Sequence, residues 1–133
     1  MKLTPHVSFG GNCEAAFLFY ERSLGGRIDT MLTWGNSPAS KEVPSEWQNK
    51  IYHATLSVGL FQLMAGDHPP DKYVRPQGFE IVIGLDDPAE AERVFQALSE
   101  NGTVQVPLQQ TFWAARFGVL TDQFGLCWSV NCE

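Results

Sequence analysis

Glu80 is the side chain in this sequence best suited to catalysis. It comes directly before the apolar run Ile81-Val82-Ile83, which is typical of a buried strand. A carboxylate that faces a dry cavity has a raised pKa and can act as a general base. The alternative interpretation is a glutamate at the start of a strand, exposed to water or paired with an arginine. Glu80 is therefore the candidate catalytic residue.

The three histidines of the chain occupy different settings. His6 alternates with Val7 in a strand-like segment, which favours a structural histidine bonded to backbone. His53 shares a strand face with Thr55, and this face is a candidate lining for a pocket. His68 lies in a proline-rich stretch, where we expect it to be solvated.

Aromatic residues are densest in the segment 112–117, which reads Phe-Trp-Ala-Ala-Arg-Phe. Trp113 beside the guanidinium of Arg116 suits a planar or anionic small ligand, through stacking and charge-assisted hydrogen bonds. Trp128 on the following strand is positioned to extend this cluster. The alternative is that these aromatics pack in the core or at a dimer interface.

Several kinds of chemistry have no motif in this sequence. The cysteines at 13, 127 and 132 are odd in number and form no Cys-x-x-Cys pair, which argues against a disulfide framework and a thiolate zinc site. The sequence contains no Gly-x-Ser-x-Gly, phosphate-binding loop or dinucleotide fingerprint. We therefore expect no nucleotide cofactor.

Composition and charge exclude further classes of binding partner. The chain has 133 residues, 44% of them hydrophobic, and a net charge of −6 without any cluster of Lys or Arg. Such a charge balance argues against nucleic acid as a partner. Apolar runs fall far short of the ~18 residues of a spanning helix, and no signal-peptide segment is visible. We expect a cytoplasmic globular protein with no membrane partner.

Two halves of the chain repeat one pattern of elements. A strand-like segment, a cap at Asn12, an apolar helical stripe and Gly25-Gly26 make up the start of the first half. The second half has a strand, a cap at Asp87 with Pro88 and Glu90 in a capping box, and a matching stripe. Three strand-like segments follow each helix. The sequence predicts an α+β domain over 1–133 with two β-α-β-β-β modules, at 1–66 and 78–133, joined by a connector at 67–77.

This layout resembles the vicinal oxygen chelate superfamily, which includes glyoxalases, bleomycin resistance proteins and extradiol dioxygenases. The runs at 4–9 and 110–118, together with 121–125 and Trp128, are similar to the opening and closing signatures of its PhnB-like branch. The resemblance implies curved mixed sheets around a cavity and a homodimer. If its register holds, the polar side of the first strand, with His6, faces the helix.

The resemblance also implies four positions for metal ligands, one on the first and one on the last strand of each module. Counting from the shared cap and turn, these positions fall on Pro5, Leu63, Glu80 and Ser129. Only Glu80 is a good ligand, whereas a divalent ion needs about three such donors. No metal ligand and no cofactor are therefore expected. A rearranged divalent metal site that uses His6 or His53 stays open as an alternative.

The leading hypothesis is a small-molecule binding protein without an essential metal, acting by sequestration or sensing. The rival hypothesis is an enzyme, either a divalent-metal-dependent lyase, isomerase or dioxygenase, or a metal-free enzyme with Glu80 as general base. A third is a dimer scaffold with a collapsed pocket. Six residues are predicted to line the ligand pocket: Val7, His53, Glu80, Trp113, Arg116 and Ser129.

Overall fold

The computed structural model describes every residue, Met1–Glu133. It divides between Arg75 and Pro76, within the predicted connector, into an N-terminal unit (Met1–Arg75) and a C-terminal unit (Pro76–Glu133). None of the helices has the length and apolar character needed to cross a membrane.

The N-terminal unit is a four-stranded mixed sheet with one α-helix. The sheet order is β1-β4-β3-β2, with β1 parallel to β4 and the other pairs antiparallel. Two short 3-10 helices, Ser40–Glu42 and Ser45–Trp47, lie between β2 and β3. The elements are β1 (His6–Phe9), α1 (Cys13–Leu24), β2 (Arg27–Thr33), β3 (Ile51–Val58) and β4 (Phe61–Asp67).

The C-terminal unit repeats this topology. Its sheet order is β5-β8-β7-β6, again with one parallel pair, β5 and β8. The elements are β5 (Ile81–Leu85), α2 (Pro88–Ser99), β6 (Thr103–Gln109), β7 (Arg116–Thr121) and β8 (Cys127–Cys132). The predicted α+β class with two β-α-β-β-β modules is confirmed, and neither sheet closes on itself.

The two helices begin in different ways. In α2 the side chain of Asp87 accepts a hydrogen bond from the Ala89 N–H, as the sequence predicts, while Glu90 pairs with Arg93 instead of closing a capping box. In α1 the side chain of Asn12 makes no capping bond. The carboxylate of Asp67 at the end of β4 takes that role, because its Oδ1 atom accepts from the N–H groups of Gly11 and Cys13.

The register of the N-terminal sheet decides which side chains face away from α1. Val7 and Phe9 are buried, and the Phe9 ring meets Phe17 of α1 edge to face at 6.4 Å between centroids. Since side chains alternate along a strand, His6 points to the opposite side, here called the open face. The expectation that His6 faces the helix is wrong, because the apolar residues of β1 are taken into the core.

His53 shares the open face with His6. His6 pairs with Met64 of β4, and Met64 pairs with Thr55 of β3. His53 lies two residues before Thr55 and therefore has the same orientation. The fold thus brings two histidines from distant parts of the sequence to one side of the sheet.

Candidate functional site

All three histidines of the chain line one cleft of about 380 Å³ in the N-terminal unit. The residues around this cleft, here called the histidine cleft, are His6, Trp34, Tyr52, His53, His68, Pro69 and Lys72.

Two strands and the segment after β4 position the polar side chains of the cleft. His6 comes from β1 and His53 from β3. His68 directly follows β4, and its N–H donates to the carbonyl of Phe9 at 2.8 Å, which extends the pairing between the two strands. The carbonyl of Pro69 then accepts from the Lys72 N–H at 2.8 Å, in a turn that brings the Lys72 side chain to the cleft.

The three imidazoles are close neighbours. The ring of His6 lies 6.4 Å from that of His53, at an interplanar angle of 19°, and 6.2 Å from that of His68. Removal from water, followed by repulsion from His68 and then His53, lowers the pKa of His6 below its ordinary value. The Nε2 atom of His53 is 3.3 Å from the hydroxyl of Thr55. The lowered pKa favours the neutral form of His6, in which one ring nitrogen donates a hydrogen bond and the other accepts one.

Aromatic rings form another part of the cleft wall. Trp34 and Tyr52 meet edge to face, with 4.9 Å between centroids and an angle of 79°. The indole N–H of Trp34 donates to the backbone carbonyl of Asp67 at 2.9 Å. This bond fixes the tryptophan ring on the residue that also caps α1.

The carboxylate of Asp67 is close to the cleft in sequence but is committed elsewhere. Besides the bonds from Gly11 and Cys13, its Oδ2 atom accepts from the Ile51 N–H at 2.8 Å. Asp67 is only 1% exposed. Its carboxylate is thus fully hydrogen-bonded to three backbone N–H groups. No carboxylate lines the cleft.

The donor set does not fit the divalent ion that the family resemblance implies. No group of three or more His, Cys, Asp or Glu side chains in the chain is arranged to hold a metal. On the open face, His6 of β1 pairs with Met64, whose thioether is a poor ligand for hard ions. Leu63 is buried opposite Leu56 and offers no donor. The three imidazoles share a cleft without converging on one point.

The predicted pocket residues are divided between the two units, and the two in the N-terminal unit, Val7 and His53, lie in different places. His53 lines the histidine cleft, whereas Val7 is 1% exposed and lies in the core under α1. Ser129 is also buried, paired with Val82 and Val119.

The other predicted pocket residues are at the surface of the C-terminal unit. Trp113 is half exposed and stacks edge to face on Phe117. Arg116 makes an ion pair with Glu92, 3.1 Å between Nε and Oε1. Trp128, expected to extend this aromatic cluster, is buried, and its indole N–H donates to Asp122.

Glu80 is exposed, and its nearest polar partner is the thiol of Cys127, 3.9 Å from Oε2. It is not paired with an arginine. Removal from water, and then the charge of Glu80, raises the pKa of Cys127. A thiol held in its neutral form is a weak nucleophile.

Most of the cleft lies outside the residues that the sequence predicts as a site. Trp34 and Tyr52 belong to no predicted site, and His68, Pro69 and Lys72 lie in the predicted connector at 67–77, where His68 is expected to be solvated. A usable signal was present, because Pro69-Pro70 restricts the chain directly after His68 and limits how far that side chain can move from β4.

Comparisons with known proteins agree with this architecture. The family model of the glyoxalase/bleomycin resistance protein/dioxygenase superfamily matches residues 4–130. Protein YjdN of Escherichia coli K12 is 34% identical over 139 residues, covering 98% of this chain and 95% of that protein.

The solved structures that cover the whole chain include two with TM-scores above 0.8. Protein PA1353 from Pseudomonas aeruginosa has 48% identity and a TM-score of 0.90, over 100% of this chain and 98% of the other. The PhnB protein from Bacillus cereus has 20% identity and a TM-score of 0.83, over 100% of both chains, and shows the shared fold.

Proposed function

The chain belongs to the glyoxalase/bleomycin resistance protein/dioxygenase superfamily, and we propose that it is a small-molecule binding protein whose site is the histidine cleft. The observation that carries this proposal is the concentration of all three histidines, two aromatic rings and a lysine around one cleft. Sequestration or sensing of the ligand is the proposed activity.

Size and lining support this proposal. A volume of about 380 Å³ is within the range of small-ligand sites, which are mostly apolar and carry a few oriented polar groups. Trp34, Tyr52 and Pro69 supply apolar surface, and the imidazoles supply hydrogen-bonding groups at the same cleft. Because the Trp34 ring is hydrogen-bonded to the backbone, this wall is largely formed before a ligand arrives.

We propose that binding needs no metal ion. The donors on the open face do not fit a divalent ion, and Glu80, the candidate general base, is exposed and lies outside the cleft lining. We also propose that the chain forms a homodimer, as the family resemblance implies, which light scattering on purified protein would test.

A metabolite screen by thermal shift, with and without a chelator, tests the proposed function. We expect ligands that raise the melting temperature equally in both conditions and that perturb NMR signals of the cleft residues. Trp34→Leu should weaken their binding, whereas Trp113→Leu, which changes a surface tryptophan outside the cleft, should leave it unchanged. Ligands that bind only with added Ni²⁺, Zn²⁺ or Mn²⁺ would instead favour the metalloenzyme. Ligands that perturb only the C-terminal unit would contradict the proposed site.

A further inference from the structure

We infer that the ligand class of the histidine cleft is a planar anion, a ring compound bearing a carboxylate, with its ring against the Trp34–Tyr52 wall and its charge toward the imidazoles and Lys72. This inference rests on the proposed function and adds to it the chemistry of the ligand.

The charge balance of the cleft is opposite to that of the chain. Acidic residues outnumber basic ones by 15 to 9 in the chain, yet no acidic residue lines the cleft. Lys72 is the one lysine or arginine among the lining residues. Two carboxylates adjoin lining residues in sequence. Asp67 is occupied by the N–H groups of Gly11, Cys13 and Ile51, and Asp71 is exposed and does not line the cleft. An anion entering the cleft therefore meets hydrogen-bond donors and a lysine, with no carboxylate in the lining.

Three neighbouring imidazoles favour an anion more than any one of them would alone. Each neutral ring carries one N–H donor, and protonation gives it a second. His53 and His68 both lie about 6 Å from His6, and repulsion from them opposes protonation of His6. A bound carboxylate relieves that repulsion and accepts charge-assisted hydrogen bonds.

The aromatic wall determines what the rest of the ligand is. The edge-to-face arrangement of Trp34 and Tyr52 leaves ring surfaces on which a flat group can stack. Pro69 adds a rigid apolar surface beside His68. A small inorganic anion would use the donors of the cleft but not these surfaces, so a ring-bearing anion fits the whole lining better.

A series of probes with one shape and different charges tests this inference. Benzoate, benzamide and benzamidine are an anion, a neutral molecule and a cation of nearly the same size, and inorganic phosphate is an anion without a ring. Each is titrated into ¹⁵N-labelled protein at neutral pH, and binding is mapped by NMR on the histidine, Tyr52 and Trp34 signals. We expect benzoate to bind about tenfold more tightly than benzamide, phosphate to bind more weakly than benzoate, and benzamidine to give no shifts in the cleft.

Two variants assign the effect to charge in the cleft. Lys72→Gln should weaken benzoate several-fold and leave benzamide unchanged, because only the anion loses an attraction. Lys41→Gln is the matched control, since Lys41 is exposed in the same unit and does not line the cleft. Its affinity for benzoate should equal that of the parent protein.

The outcomes separate this inference from the proposed function. Equal or tighter binding of benzamide or benzamidine in the cleft would overturn the anion preference while supporting a binding site there. Tighter binding of phosphate than of benzoate would overturn the role of the aromatic wall. If neither these probes nor any metabolite of the screen shifts a cleft signal, the proposed function fails and the inference fails with it.

Discussion

The Sγ atom of Cys127 lies 3.9 Å from the Oε2 atom of Glu80, so the most accessible thiol of the chain faces a carboxylate. The other two cysteines are buried. Burial and the negative charge of Glu80 both disfavour the thiolate of Cys127, and its pKa is raised. The thiol of Cys127 is consequently held in its neutral form and is a weak nucleophile.

Replacement of Glu80 should make Cys127 more reactive. In Glu80→Gln the like charge is gone and the thiol pKa falls, so alkylation by iodoacetamide at mildly alkaline pH should be a few-fold faster. Burial remains the larger cause of the shift, so the rate should stay below that of a free cysteine. Mass spectrometry of the alkylated peptide measures this rate. Glu100→Gln, another exposed carboxylate of the same unit, is the control, and an unchanged rate in Glu80→Gln would contradict the charge effect.

The histidine cluster predicts an order of pKa changes that NMR can follow. His6 should titrate below the ordinary value of 6.5. His68→Gln should raise the pKa of His6, and His53→Gln should raise it less, because the repulsion from His68 is the larger of the two. Titration of the imidazole C–H signals gives these values. A larger rise in His53→Gln would mean that the cluster is arranged differently.

The same shift has a consequence for stability. Since the pKa of His6 is lower in the folded chain, the unfolded chain binds the proton more tightly, and stability falls as the pH drops through 6.5 toward the folded value. In His6→Gln this part of the acid sensitivity should disappear. Urea unfolding at neutral and at mildly acidic pH measures the difference, which should be smaller in the variant than in the parent protein.

A feature of this structure can be predicted from the sequence when the residues that produce it lie close together along the chain. The cap at Asp87 and the stripes of both helices are set by residues a few positions apart, and the structure contains them. The cleft joins His6, His53 and His68, which no periodic pattern links, so only the pairing of β1, β3 and β4 brings them together. The capping of α1 by Asp67 is hidden for the same reason, because that residue is far from the helix in sequence.

Asp67 should be the most sensitive single position of the N-terminal unit. Asp67→Ala leaves three backbone N–H groups without an acceptor, and we expect a loss of at least about 3 kcal/mol in the free energy of unfolding. Asp67→Asn keeps an oxygen for Gly11 and Cys13 but not for Ile51, so its loss should be intermediate. Denaturant unfolding gives both values. Asp71→Asn, at an exposed position, is the control, and equal losses in the two Asp67 variants would argue against three separate bonds.

Two strand glycines of the C-terminal unit should respond oppositely to alanine. A Cβ atom on Gly118 would lie 2.7 Å from the Phe95 ring and 2.9 Å from the Leu108 Cα atom, so Gly118→Ala should destabilise by about 1–3 kcal/mol. A Cβ atom on Gly84 would meet nothing within 4 Å. Gly84→Ala should therefore be neutral or more stable by up to about 1 kcal/mol. Thermal unfolding of both variants checks the contrast, which would be lost if α2 packed loosely on β7.

The hydrogen bond from Trp34 to the carbonyl of Asp67 ties a wall of the cleft to the residue whose side chain fastens α1 and β3. The orientation of that indole is thus set when the chain folds, and binding of a ligand restricts the indole little further. Association at this surface should accordingly be governed by diffusion and desolvation, with no slow rearrangement of the indole preceding it.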